Sequence, residues 1–202
     1  MTFDAVVHVI DDDEAMRTSL AFLLDTAGYE VRLYDSATHF LDATPELAAG
    51  CVLTDVRMPG LNGLELTRHL KALGLDLPVI MMTGHGDVPL AVDAMKAGVV
   101  DFLEKPFETG VLLAAIASAI ASSSLGTPKA VLSAFQATLG HLSPREGEVL
   151  RGVVDGKANK LIALELGISP RTVEVYRANV MTKTGAAGLP DLIRMAMLNG
   201  YA

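Results

Sequence analysis

Five short apolar runs, Val6 to Ile10, Val31 to Tyr34, Cys51 to Thr54, Val79 to Thr83 and Phe102 to Leu103, alternate with amphipathic stretches along the first part of the chain. Runs rich in Val, Ile and Leu with little polar alternation suit strands covered on both faces, as in a parallel sheet. Helix-like segments near 14–27, 36–43, 62–73, 87–97 and 109–121 complete five β/α repeats. The order predicts an α/β fold with a doubly wound five-stranded parallel sheet, whose function lies at the C-terminal ends of its strands.

The periodicity breaks at Ser122-Ser123-Ser124-Leu125-Gly126-Thr127-Pro128, where small residues, glycine and proline mark a linker. Beyond it the pattern is all-helical, near 129–138, 144–155, 158–166, 170–184 and 189–198. The expected organisation is an α/β domain over 1–122, a partly helical linker over 123–140 and a helical domain over 141–202.

A chain of 202 residues has room for two such domains. Its longest apolar stretch, Val111 to Ala121, falls short of the ~20 residues a membrane span needs. The N-terminus carries no basic flank or signal-type cleavage site, so a cytoplasmic protein with no membrane partner is expected. The single cysteine, Cys51, begins an apolar run and reads as a small buried residue.

The net charge of −8 is unevenly spread. Residues 1–124 hold 7 Lys and Arg against 18 Asp and Glu, net −11, whereas residues 125–202 hold 9 against 6, net +3. A mildly basic C-terminal part in an acidic chain is where a nucleic-acid surface fits.

Asp11, Asp12 and Asp13 follow the first strand, Asp55 ends the third, Thr83 ends the fourth and Lys105 follows the fifth, so all converge on one edge of the sheet. Clustered carboxylates repel unless a cation or protons intervene. Hard oxygen ligands at an open edge suit Mg²⁺, which keeps waters and leaves room for phosphate oxygens. A carboxylate nucleophile, a metal, a hydroxyl and a lysine are what phosphoryl transfer onto aspartate requires. Singly, each piece has a blander account: an acidic run after a strand is usually a solvated turn or helix cap. Four such groups at successive strand ends favour the site.

Asp11-Asp12, Asp55 within Thr54-Asp55-Val56-Arg57-Met58-Pro59-Gly60, Thr83 and Lys105-Pro106-Phe107 resemble the signature of the response-regulator receiver, a CheY-like fold, over residues 1 to about 122. The resemblance implies that Asp55 accepts a phosphoryl group. It implies Mg²⁺ held by Asp12, Asp55 and the backbone carbonyl of Arg57, with Asp11 acting through water. Thr83 and Lys105 would hold the phosphoryl oxygens, with Thr83 and Phe102 as the switch pair. Arg57 and His85 match positions that tune dephosphorylation, although either equally suits a solvent-facing loop. Family receivers dimerise when phosphorylated, which makes Val92 and Lys96, one helical turn apart, candidate contacts; Val92 equally suits a core.

In the C-terminal part, Ser143-Pro144 and Ser169-Pro170 each pair an N-cap with proline at the first helical position. A helix from Ala158 to Leu166, a tight turn at Gly167 and a helix from Pro170 form a helix-turn-helix. At 100° per residue Val173, Tyr176 and Val180 share one face, while Arg171, Glu174, Val175, Ala178 and Thr182 share the opposite one. The first set should pack and the second should face DNA, with Arg177 and Lys183 flanking it toward the phosphates.

Leu142 to Gly185 resembles the LuxR/FixJ helix-turn-helix, and a receiver followed by this domain resembles the NarL/FixJ family over nearly the whole chain. Tyr176 stands where many members have His and Leu161 where many have Glu. The resemblance implies a DNA-binding transcription activator that is not a metabolic enzyme, fed by a sensor histidine kinase and working with RNA polymerase at promoter DNA. Within the family the chain resembles the rhizobial nitrogen-fixation regulators, which implies a haem-containing, FixL-like oxygen sensor as donor. Two rival classes fit less well. A haloacid dehalogenase phosphatase would need Thr or Val where Ala15 stands, and a flavodoxin would need hydroxyls where three aspartates and Glu14 follow the first strand.

Overall fold

The computed structural model describes residues 6–43, 47–84, 88–125 and 135–201. The chain forms two compact units, Met1–His85 with Ala97–Gly126, and Gly86–Lys96 with Thr127–Ala202.

The first unit holds strands β1 (Val6–Ile10), β2 (Glu30–Tyr34), β3 (Gly50–Asp55), β4 (Val79–Thr83) and β5 (Asp101–Glu104). They form one parallel sheet in the order β2-β1-β3-β4-β5. All five residues of β1 and of β4 are buried, His8 and Thr83 among otherwise apolar side chains. Helices α1 (Glu14–Thr26), α2 (Ala37–Asp42), α3 (Gly63–Ala72) and α5 (Thr109–Leu125) belong to the same unit. Its core joins Val7, Val9, Leu53, Ile80 and Met82 of the sheet to Leu20 and Leu24 of α1 and Leu112 and Ile116 of α5. Cys51 is fully buried in it, and burial pushes its thiol pKa up to about 12.

Helix α5 runs four residues past the expected end at 121, through the serines read as linker. Serine is a tolerable helix former, and the stronger breakers Gly126 and Pro128 come only afterwards. Those two residues, and the start of the helix expected at 129–138, lie outside the described residues, as does His85.

Helix α4 (Val88–Ala97) groups with the second unit. Val92 is buried together with Val88, Ala91 and Met95, which recur at helical spacing and form one apolar face. Its expected role as a dimer contact is therefore corrected to packing, while Lys96 on the same helix is exposed.

Residues 135–139 are the described part of α6. Helices α7 (Pro144–Val154), α8 (Asn159–Leu166), α9 (Pro170–Thr184) and α10 (Leu189–Leu198) follow. Ser143 caps α7 and Glu146 closes the capping box; Ser169 caps α9, accepting from the Thr172 N–H. Gly167 ends α8 in the left-handed conformation, φ 65°, which makes the tight turn between α8 and α9 accessible to glycine without a Cβ penalty. Phe135, Leu150, Val154, Val180, Leu192 and Met195 form the core of this part of the unit.

Candidate acidic site and nucleic-acid interface

In the strand order 2-1-3-4-5 the chain's winding reverses between β1 and β3, and a crevice opens there at the carboxyl ends of the strands. Parallel pairing sets Ile10 beside Thr54, Asp55 beside Met82 and Thr83 beside Glu104. Asp11, Asp55, Thr83 and Lys105 thus share one edge. Asp11 and Thr83 are almost wholly buried, Asp55 is 9% exposed, and Asp12 points outward into solvent-accessible space.

Lys105 Nζ lies 2.6 Å from Asp55 Oδ1 and 2.9 Å from Asp11 Oδ2. Burial opposes the charge on Lys105, but its hydrogen bonds to Asp55 and Asp11 and their negative charges outweigh that, so its pKa is raised. The Lys105 N–H donates to the Thr83 carbonyl at 2.7 Å, and the Lys105-Pro106 bond is cis. The second Asp55 oxygen accepts the Arg57 N–H at 2.6 Å, while the Arg57 side chain is exposed.

Asp13 takes the blander role weighed for the acidic run. Its carboxylate caps α1, accepting from the Ala15 and Met16 N–H groups, and its own N–H donates to Asp11 Oδ1. Two residues not anticipated from sequence also shape the site. Arg17 Nη1 donates to the Asp11 carbonyl at 2.7 Å, and Gly63 opens α3 so close to β3 that an added Cβ would collide with the Asp55 carbonyl oxygen. Phe102 is half-buried on β5, paired with Met81 and two residues before the Thr83–Glu104 pair.

Among the described residues no three carboxylate, imidazole or thiol groups converge on one point as a ready-made metal cage. Asp12, Asp55 and backbone oxygen are instead hard donors at an open edge, the kind of partial set that suits a cation retaining its own waters.

In the helical part, Arg171, Glu174, Val175 and Ala178 are all exposed on one stripe of α9, and Val173 and Val180 are buried on the other side. The two basic flanks behave differently from expectation. Arg177 turns inward, its Nη1 donating to Asn159 Oδ1 at the start of α8 at 3.0 Å. Lys183 Nζ sits 2.6 Å from Oε2 of the buried Glu146 on α7 and also reaches the His141 carbonyl. Lys183 is therefore corrected from a phosphate contact to a strut between α9 and α7. The angular positions put both at a margin: Arg177 is four residues after the buried Val173 and Lys183 three after the buried Val180, about 40° and 60° from the packed face.

Residues 7–117 match the response regulator receiver domain, and residues 140–196 match the luxR family of bacterial regulatory proteins. The chain belongs to the NarL/FixJ family of response regulators. It is 56% identical over 201 residues to the transcriptional regulatory protein FixJ of Bradyrhizobium diazoefficiens, covering 99% of this chain and 98% of that one. It is 50% identical to FixJ of Rhizobium meliloti, covering 98% of each. A crystal structure of full-length FixJ from B. japonicum matches with a TM-score of 0.58 at 54% identity, covering both chains completely. The regulator is thus a two-component transcriptional regulator with a receiver and a LuxR-type DNA-binding domain, served by a cognate histidine kinase. Among its described residues no helix is long and apolar enough to cross a membrane.

Proposed function

We propose that Asp55 is the phosphoacceptor through which this regulator is switched. The observation that carries the reading is the placement of the Asp55 carboxylate at the switch-point edge, with Lys105, Asp11 and the Arg57 N–H around it. An Asp55 oxygen attacks the phosphorus of a phosphohistidine on the kinase, the P–N bond breaks, the imidazole leaves with the electron pair and takes up a proton, and an acyl phosphate remains. Lys105 and Thr83 bind the incoming phosphoryl oxygens. Asp12, Asp55 and the Arg57 carbonyl would hold Mg²⁺, with Asp11 contributing through water, and the ion would supply charge neutralisation. By kinship with FixJ the kinase is a FixL-like oxygen sensor, the targets are nitrogen-fixation promoters, and the regulator activates RNA polymerase there as a phosphorylated homodimer. Lys96 is the remaining candidate dimer contact on α4.

The exposed stripe of α9 reads the major groove. Arg171 suits guanine, Glu174 accepts from cytosine, and Val175 and Ala178 meet thymine methyls. Lys160, exposed and without an ion-pair partner among the described residues, supplies a phosphate contact.

Intact-mass measurement after incubation with acetyl phosphate and Mg²⁺ tests the acceptor. Wild type should gain one phosphoryl group and Asp55→Asn none; a normal adduct on the variant overturns the assignment. For the groove face, Glu174→Ala should change the sequence preference in a selection from random duplexes, and unchanged preference overturns that orientation of α9.

A further inference from the structure

An arginine flanking the base-reading stripe of a DNA-binding helix is placed for the phosphates, and position 177 invites that reading. The structure gives it other surroundings. The guanidinium is half-buried between α8 and α9, its Nη1 donates to Asn159 Oδ1, and its Nε is shut off from solvent with no acceptor among the described residues. Burial lowers its pKa, opposed by the nearby charge of Glu174. A guanidinium enclosed in this way cannot follow a phosphate without leaving its pocket, and an enclosed N–H without an acceptor carries a cost. Packing alone would be met more simply by an apolar side chain.

What this arrangement does fix is the register of two helices. Asn159 is the first residue of α8, whose N-cap residue Ala158 makes no side-chain capping bond. Arg177 borders the exposed stripe, about 60° around α9 from Glu174 on the side toward the packed face. The Arg177–Asn159 bond therefore ties the start of α8 to the flank of the reading surface, and a planar donor is better suited than a flexible ammonium to hold one angle.

We propose that Arg177 is a positioning residue for DNA recognition: acting through Asn159, it locks α8 against α9 so that both helices meet the duplex together, and it makes no phosphate contact itself. The inference rests on the DNA-facing reading of α9, which the Glu174→Ala preference test examines separately.

The test uses the full chain treated with acetyl phosphate and Mg²⁺, binding a duplex enriched from a random library, at several salt concentrations and well below each variant's unfolding temperature. Arg177→Ala and Asn159→Ala should each weaken binding by about tenfold, the double variant should be no weaker than the worse single one, and the salt slope should equal that of wild type. A purely structural role would lower Tm but leave binding by the folded protein unchanged. The proposal is overturned by a slope shallower by about 0.9 in Arg177→Ala, which marks a lost phosphate contact. It is equally overturned by additive losses, or by unaltered affinity in Asn159→Ala, a variant that keeps the readout if Arg177→Ala fails to fold.

Discussion

The ammonium of Lys105 bridges Asp55 and Asp11, residues brought together from opposite ends of the domain, at 2.6 and 2.9 Å. A lysine thus sits between two carboxylates and offsets part of their charge.

Removing that ammonium leaves two largely buried carboxylates facing each other. Lys105→Ala should lose about 1–3 kcal/mol of stability in metal-free buffer, and Mg²⁺ should restore more of it than it adds to wild type, because the cation no longer meets a competing charge. Thermal unfolding with and without Mg²⁺ measures this; equal Mg²⁺ shifts in both proteins would contradict the account. The sign with pH follows from the raised pKa of Lys105: the pair's stabilisation is complete at neutral pH and lost only as pH rises through the folded value, above 10.5.

Gly63 and Gly110 both lie in the first turn of a helix but have opposite surroundings. An alanine at 63 would strike the Asp55 carbonyl, whereas nothing lies within 4 Å at 110. Gly63→Ala should cost about 1–3 kcal/mol and slow the appearance of the phosphate adduct, while Gly110→Ala should be neutral or stabilising by up to about 1 kcal/mol. Denaturant melts and timed intact-mass spectra compare them.

His8 is fully buried in β1, its Nε2 3.0 Å from the Ala48 carbonyl and its Nδ1 3.3 Å from the Tyr34 hydroxyl. That network suits a neutral ring donating from Nε2 and accepting at Nδ1. Burial lowers its pKa, only partly offset by the Ala48 bond. The unfolded chain then binds the proton more readily, so stability falls as pH drops below about 6.5 and levels off beneath the folded value. Tm measured from pH 7.5 to 5.5 should decline, and His8→Gln should flatten the decline; an unchanged slope would remove His8 as its source.

Glu146 shows the same sign at lower pH. The Lys183 ammonium, with the Ser143 N–H, holds its carboxyl below the usual range, so the contribution is present above the unfolded value and lost as pH falls through the folded one. Lys183→Ala should shift acid unfolding of the helical unit to higher pH and leave the salt slope of DNA binding unaltered. A shallower slope would return Lys183 to the phosphates.

What the sequence by itself determined is local. Apolar runs without alternation specify strands buried on both faces, Ser-Pro pairs start α7 and α9, Gly167 ends α8, and strand ends bring Asp11, Asp55, Thr83 and Lys105 to one edge once the sheet is wound. Each follows from steric and capping rules acting over a few residues. The tertiary structure alone decided which charges meet. Lys105 and Asp11 are 94 positions apart, and nothing local shows that the lysine lodges between two aspartates while Asp13 turns aside to cap α1. The inward turn of Arg177 and Lys183 is of the same kind. Both lie at the margin between the packed and exposed faces of α9, where periodicity is ambiguous, and partners on α8 and α7 set their direction. Long charged side chains bend either way at such a margin, so the acceptor that is near in space, not the spacing in sequence, chooses.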